Sequence, residues 1–162
     1  MPDGTLIYLS LGSNLGDRAA NLERAIEALP AAGVRVLRRS ALYETAPVDF
    51  LEQPWFLNCV VEAETLLPSE PLLHALQGIE RQMGSRKLVA RGPRIMDLDI
   101  LFYGTAVIHT EEMEIPHPRM AGRRFVLVPL AELAPGFRHP VLHATIAELL
   151  AATNDTSVVR VL

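Results

Sequence analysis

Apolar positions along the chain change period in a regular order. Residues 5–11 read as a β-strand ending at Gly12. The turn Gly12-Ser13-Asn14-Leu15-Gly16-Asp17 leads into a helix whose Leu22, Ala25, Ile26 and Leu29 recur at helical spacing. Pro30 and Gly33 end that helix. Residues 34–43 and 55–65 read as two further strands, joined by a loop that contains Thr45, Pro47 and Pro54. Ser69 is a good N-cap for a second helix, with Leu72, Leu76, Ile79 and Met83 on one stripe and Gly84 at C′. A polar loop, 85–94, precedes a strand at 95–103, and 105–109 is expected to pair back on that strand. A helical turn at 130–133 lies between prolines, and Thr145 to Glu148 spells a capping box opening a last helix through Ala152.

The order β-α-β-β-α-β is the split βαβ arrangement. It predicts an α+β fold, mainly an antiparallel sheet, with the C-terminal third adding helices on the other face. The chain has 162 residues, of which 49% are hydrophobic and 21% charged. That suits one domain spanning 1–162 with a real core, and excludes intrinsic disorder. The single cysteine, Cys59, excludes a disulfide scaffold and a cysteine-based zinc site. No apolar stretch approaches the ~20 residues of a membrane-spanning helix. Asp3 and the lack of a basic cluster argue against a signal peptide. The expectation is a cytoplasmic monomer that binds neither membrane nor nucleic acid.

The net charge is −4, yet residues 81–124 carry eight basic side chains against five acidic ones. A basic segment in an acidic protein points to one anionic ligand held in one place. Within it lies Gly92-Pro93-Arg94-Ile95-Met96-Asp97-Leu98-Asp99. Strand alternation puts Met96, Leu98, Ile100 and Phe102 on one apolar face and Asp97 and Asp99 on the other, roughly 6–7 Å apart. At an effective dielectric of about 20 such charges repel by about 2.5 kcal/mol. Either a divalent cation with oxygen ligands or a guanidinium such as that of Arg94 offsets this. Arg86, Lys87, Arg91 and Arg94 could clamp phosphate. His117 sits between prolines near basic residues, whereas His74, His109, His139 and His143 read as structural or exposed. Phe56 and Asn58 share a strand face, a ring beside a carboxamide that suits a flat heterocycle. No Walker loop, H-E-x-x-H or nucleophile elbow is present.

Taken together, five strings resemble the 6-hydroxymethyl-7,8-dihydropterin pyrophosphokinase family. They are Leu11-Gly12-Ser13-Asn14-Leu15-Gly16, Tyr43-Glu44-Thr45-Ala46-Pro47, Gln53-Pro54-Trp55-Phe56-Leu57-Asn58, Gly92-Pro93-Arg94 with Asp97-Leu98-Asp99, and Pro116-His117-Pro118. The resemblance implies a ferredoxin-like α/β sandwich and ATP and hydroxymethyldihydropterin as substrates, giving AMP and the pterin pyrophosphate. It implies two magnesium ions on Asp97 and Asp99, and phosphate contacts from Arg86, Lys87, Arg94, His117 and Arg123. Gln77, Glu80 and Ile100 match positions near the nucleotide. Phe56 and Phe125 match rings that sandwich the pterin, and Asn58 with Thr45 and Val48 matches the groups that read its polar edge.

The chain departs from the family at Arg91, where a ring is common, at Ser85, where an arginine often stands, and at Glu112 and Glu114, near nucleotide contacts. An RNA-binding module of the same topology would need an RNP1 pattern and more aromatic residues than 6%. A non-catalytic regulatory domain would have no use for Asp97 and Asp99 together.

Overall fold

The computed structural model describes residues 4–46, 54–84 and 94–162. Strand β1 (Thr5–Ser13) runs through the middle of a six-stranded sheet. It pairs antiparallel with β4 (Phe56–Thr65) on one side and β5 (Asp97–Tyr103) on the other. The far side of β4 is shared by β2 (Val34–Arg39) and β3 (Tyr43–Thr45), and β3 pairs in turn with β8 (Val159–Val161). Helices α1 (Arg18–Ala28) and α2 (Ser69–Gln82) cover one face; α3 (Arg124–Leu133) and α4 (Ile146–Ala152) cover part of the other. This is the α+β sandwich that the strand and helix order implied.

Alternation along β1 builds both cores. Ile7, Leu9 and Leu11 are fully buried beneath α1 and α2, with Leu57, Cys59 and Val61 of β4 and Met96, Leu98 and Ile100 near β5. Each such side chain contributes about 1.5–3 kcal/mol on burial. Tyr8 points the other way, into a second cluster with Val60, Leu101, Phe102, Val126, Leu127 and Leu130. Asp17 caps α1 by accepting from Ala20 N at 3.1 Å, and Thr145 with Glu148 closes the expected capping box of α4. Gly84 takes φ +79° just past α2, where a side chain would be strained.

Five expectations are corrected. Ser69 is the first residue of α2 and not its N-cap, which is Pro68. Phe102 does not share a face with Met96, Leu98 and Ile100. The β1–β5 register shifts, Leu9 opposing Ile100 while Tyr8 opposes Phe102, so Leu101 is an extra residue and both Leu101 and Phe102 enter the second core. The expected strand at 34–43 is two strands. Between them Ser40 Oγ accepts from Val60 N at 2.9 Å, so a side chain replaces a ladder bond and the chain can turn there. Residues 105–109 do not pair back on β5; β6 (Ile108–His109) pairs with β7 (Glu114–Ile115) instead. Finally, the turn at 130–133 is the end of a ten-residue helix that tolerates Pro129.

Candidate active site

Helices α3 and α4 cover only the half of the second sheet face that carries Tyr8, Val60 and Phe102. Two residues further along each strand the same face presents Ser10, Gly12, Asp97, Asp99, Asn58 and Phe56. The register fixes their order. Gly12 lies opposite Asp97 on one side and opposite Asn58 on the other, and Tyr43 follows Asn58. Asp97 and Asn58 are therefore two strand spacings apart, about 9–10 Å at the backbone.

On the β3–β4 side the site is polar but buried. Asn58 and Thr45 are 3% and 2% exposed, and Asn58 Nδ2 donates to Thr45 Oγ1 at 2.6 Å. That bond fixes the amide, turning Oδ1 toward Gly12. A Cβ on Gly12 would meet Asn58 Oδ1 at 2.6 Å and Phe56 Cδ1 at 3.5 Å. Only glycine leaves the carboxamide its place. Phe56 is half-buried on the same strand face. Phe125, near the start of α3, is also half-buried, with the Arg123 guanidinium 5.5 Å from its ring centroid.

On the β1–β5 side the site is acidic with a basic rim. Arg94, whose side chain is only 12% exposed, lies with Nη1 3.6 Å from Asp97 Oδ1. The guanidinium thus supplies part of the charge that the paired aspartates need. Asn14 secures this approach: its backbone N donates to Arg94 O at 3.0 Å, and Arg94 N donates to Asn14 Oδ1 at 2.7 Å. Asn14 Nδ2 also donates to Pro54 O at 3.2 Å, tying in the start of β4.

Strand β5 is the sheet edge, and side groups cover its open backbone. Glu80 of α2 accepts from Leu98 N at 2.8 Å, and His117 N donates to Leu101 O at 3.1 Å. Gln77 is exposed one turn earlier on α2, and Ile100 is buried beneath the sheet. His117 follows the cis Ile115–Pro116 peptide. Burial first, then Arg123, hold its imidazole down to about 4 despite the opposing pull of Asp97. The ring is neutral near pH 7, and its Nδ1 accepts from Arg119 N at 3.2 Å. The ring proton therefore sits on Nε2, making it a neutral donor.

A magnesium ion fits this donor set. Two carboxylates side by side on one strand face are hard oxygen ligands, to be completed by substrate phosphate and water. The neutral imidazole beside them adds no repulsion. Val48, Arg86, Lys87, Ser85 and Arg91 lie outside the described residues, as does most of the 85–94 loop. The structure brings together Arg94, Asp97, Asp99, Thr45, Phe56 and Asn58, with His117, Arg123 and Phe125 at the rim. Two residues that sequence reasoning left as a plain turn prove to be structural parts of the site, Gly12 and Asn14. The glycine's close approach and the asparagine's buried contacts belong to strands distant in sequence, so only their place in the string Leu11–Gly16 signalled them.

Comparison with known proteins identifies the family. Residues 8–135 match the family described as 7,8-dihydro-6-hydroxymethylpterin-pyrophosphokinase (HPPK). A 2-amino-4-hydroxy-6-hydroxymethyldihydropteridine pyrophosphokinase of Methylorubrum extorquens is 42% identical over 158 residues, 97% of this chain and 99% of that protein. The folic acid synthesis protein fol1 of Pneumocystis carinii is 43% identical over 160 residues, and the chain spans only 22% of its length. A mitochondrial folate synthesis bifunctional protein of Arabidopsis thaliana is 46% identical over 127 residues, and the chain spans 23% of it. The crystal structure of Plasmodium falciparum HPPK-DHPS A437G with STZ-DHP shares the fold, with TM-score 0.73 over 91% of this chain and 45% of that one, at 17% identity.

Proposed function

The chain belongs to the 7,8-dihydro-6-hydroxymethylpterin-pyrophosphokinase family, and on that premise we propose that it transfers pyrophosphate from ATP to 6-hydroxymethyl-7,8-dihydropterin. The hydroxyl releases its proton to water as its oxygen bonds to the β-phosphorus, the bond from that phosphorus to the α,β-bridging oxygen breaks, and AMP leaves. The observation that carries this reading is the single register row Asp97–Gly12–Asn58, which sets an acidic pole and a carboxamide reader about 9–10 Å apart on one face. A nucleotide triphosphate end and a flat heterocycle can meet across that distance.

On this reading the pterin lies against Phe56 and Phe125, whose rings add about 0.5–1.5 kcal/mol each beyond area burial. Asn58 Oδ1 accepts from its amino edge, with the backbone near Thr45 and Val48 completing the recognition. Two magnesium ions held by Asp97 and Asp99 would supply neutralisation of the triphosphate and of the charge that develops at the attacking and leaving oxygens. Arg94, with Arg86, Lys87 and Arg123, holds the phosphates in line; His117 donates from Nε2. Gln77 and Glu80 border the nucleotide, Glu80 by fixing the edge of β5, and Ile100, whose side chain is in the core, does so only through its backbone on that edge.

We take residues 1–162 as one pyrophosphokinase domain that works as a monomer. We place it in the cytoplasm. No described helix is long and apolar enough to cross a membrane. The test is AMP release from ATP in the presence of the purified chain. AMP must appear only when both hydroxymethyldihydropterin and magnesium are present; release without pterin, or none with it, overturns the reading.

A further inference from the structure

A second cluster of ligating groups lies away from the sheet face just described. Glu70 and His74 sit four residues apart on α2, so their side chains share one face of the helix. Glu112 reaches them from the turn between β6 and β7, where Thr110 Oγ1 accepts from the backbone N of Glu112 and of Met113. His74 Nε2 is 3.1 Å from both Glu112 oxygens. One ligating atom from each of the three residues lies within 4.8 Å of the others.

We propose that Glu70, His74 and Glu112 bind a divalent transition-metal ion of the zinc type, which pins the β6–β7 hairpin to α2. The donor set is one imidazole and two carboxylates, from two separate elements. Imidazole nitrogen and carboxylate oxygen are both zinc ligands, and three protein ligands leave a fourth position for water. Zinc bound at about 2.0–2.2 Å in a tetrahedron sets its ligand atoms about 3.4 Å apart. The His74–Glu112 pair already stands near that spacing. Glu70 needs only a rotamer adjustment on an open surface, where all three side chains are exposed. Imidazole selects against magnesium, which takes oxygen ligands, so this site and the aspartate pair prefer different ions.

The location gives the ion something to hold. Among the described residues the hairpin is a two-residue ladder that pairs with no other strand, and Ile115 anchors its second strand in the core. Its second strand ends at Ile115, two residues before His117. On the other side α2 carries Glu80, which grips Leu98. A metal between α2 and the hairpin turn closes this ring of contacts around the edge of β5. The inference rests on none of the pyrophosphokinase chemistry.

The test is calorimetric titration of the full chain with zinc in excess magnesium, beside His74→Ala, Glu112→Gln and the double variant Asp97→Asn/Asp99→Asn. Melting curves recorded without zinc check that all four fold alike. The expected result is one zinc per wild-type chain, weakened at least about tenfold in His74→Ala and in Glu112→Gln, since even outer partners of a metal change affinity by 10–100-fold. The aspartate variant keeps full binding. Zinc should also slow amide exchange across 108–115. Unchanged affinity in His74→Ala, loss in the aspartate variant, or binding without slowed exchange at 108–115 overturns the proposal.

Discussion

Asn14 and Arg94 hold each other by two opposed hydrogen bonds, Asn14 N to Arg94 O and Arg94 N to Asn14 Oδ1, 80 residues apart in the chain. Asn14 is 1% exposed, and its Nδ2 holds Pro54 as well. One side chain therefore sets where the β4 and β5 approaches enter the site. Asn14→Ala leaves Arg94 N and Pro54 O without that partner in a part-buried place, at about 1–1.5 kcal/mol each. The expected melting temperature falls by about 5–10 °C for a chain of this size. Turnover should fall too, because Arg94 loses its anchor. A variant that melts with the wild type would show that the contacts are replaced by water.

Gly12→Ala tests the approach of β1 to Asn58. The new methyl would stand 2.6 Å from Asn58 Oδ1, so the carboxamide must turn and give up its bond to Thr45. Pterin affinity should drop at least about tenfold, the cost of one buried hydrogen bond to the ligand. Affinity for an ATP analogue measured without pterin should change far less. Equal losses in calorimetry would assign Gly12 a general packing role.

Asp97→Asn and Asp99→Asn should each lower turnover by at least about 100-fold, since metal-assisted charge stabilisation is worth several kcal/mol. Both variants should fold, because the change relieves repulsion on an open face rather than opening the core. Near-normal rates at saturating magnesium would refute the assignment of these carboxylates.

His139 predicts an acid-sensitive corner far from the site. Its Nδ1 accepts from Val141 N and Leu142 N at 3.1 and 3.0 Å, and burial, aided by His143, lowers its proton affinity. The folded chain thus binds fewer protons here than the unfolded one, and stability rises with pH. The contribution is present above the ordinary histidine value of about 6.5 and is lost as pH falls from there through the lower folded value. His139→Asn should flatten urea-midpoint against pH below about 6.5; an unchanged slope would place the acid sensitivity elsewhere.

Much of this was legible because local signals and the fold agree. The stripe Leu72, Leu76, Ile79 gives α2, the Thr145–Glu148 box gives α4, and alternation places Asp97 and Asp99 together. What failed was set by distant partners. Leu101 bulges to match the register of β1, and nothing local marks it. Ser40 interrupts a strand because its hydroxyl pairs with Val60, 20 residues on. Strand β8 is three residues long and exists by pairing with β3, more than a hundred residues earlier. In the site, the residue types were readable from the strings, whereas the roles of Gly12 and Asn14 needed the register and the buried contacts.

The most direct measurement follows the α and γ phosphorus of ATP. The chain is incubated with hydroxymethyldihydropterin, magnesium and ATP labelled separately at the α and γ positions, and the products are separated. Attack at the β-phosphorus predicts the α label in AMP and the γ label in the pterin product, in equal amounts. An α label recovered in ADP, with or without a γ label on the pterin, would contradict pyrophosphate transfer.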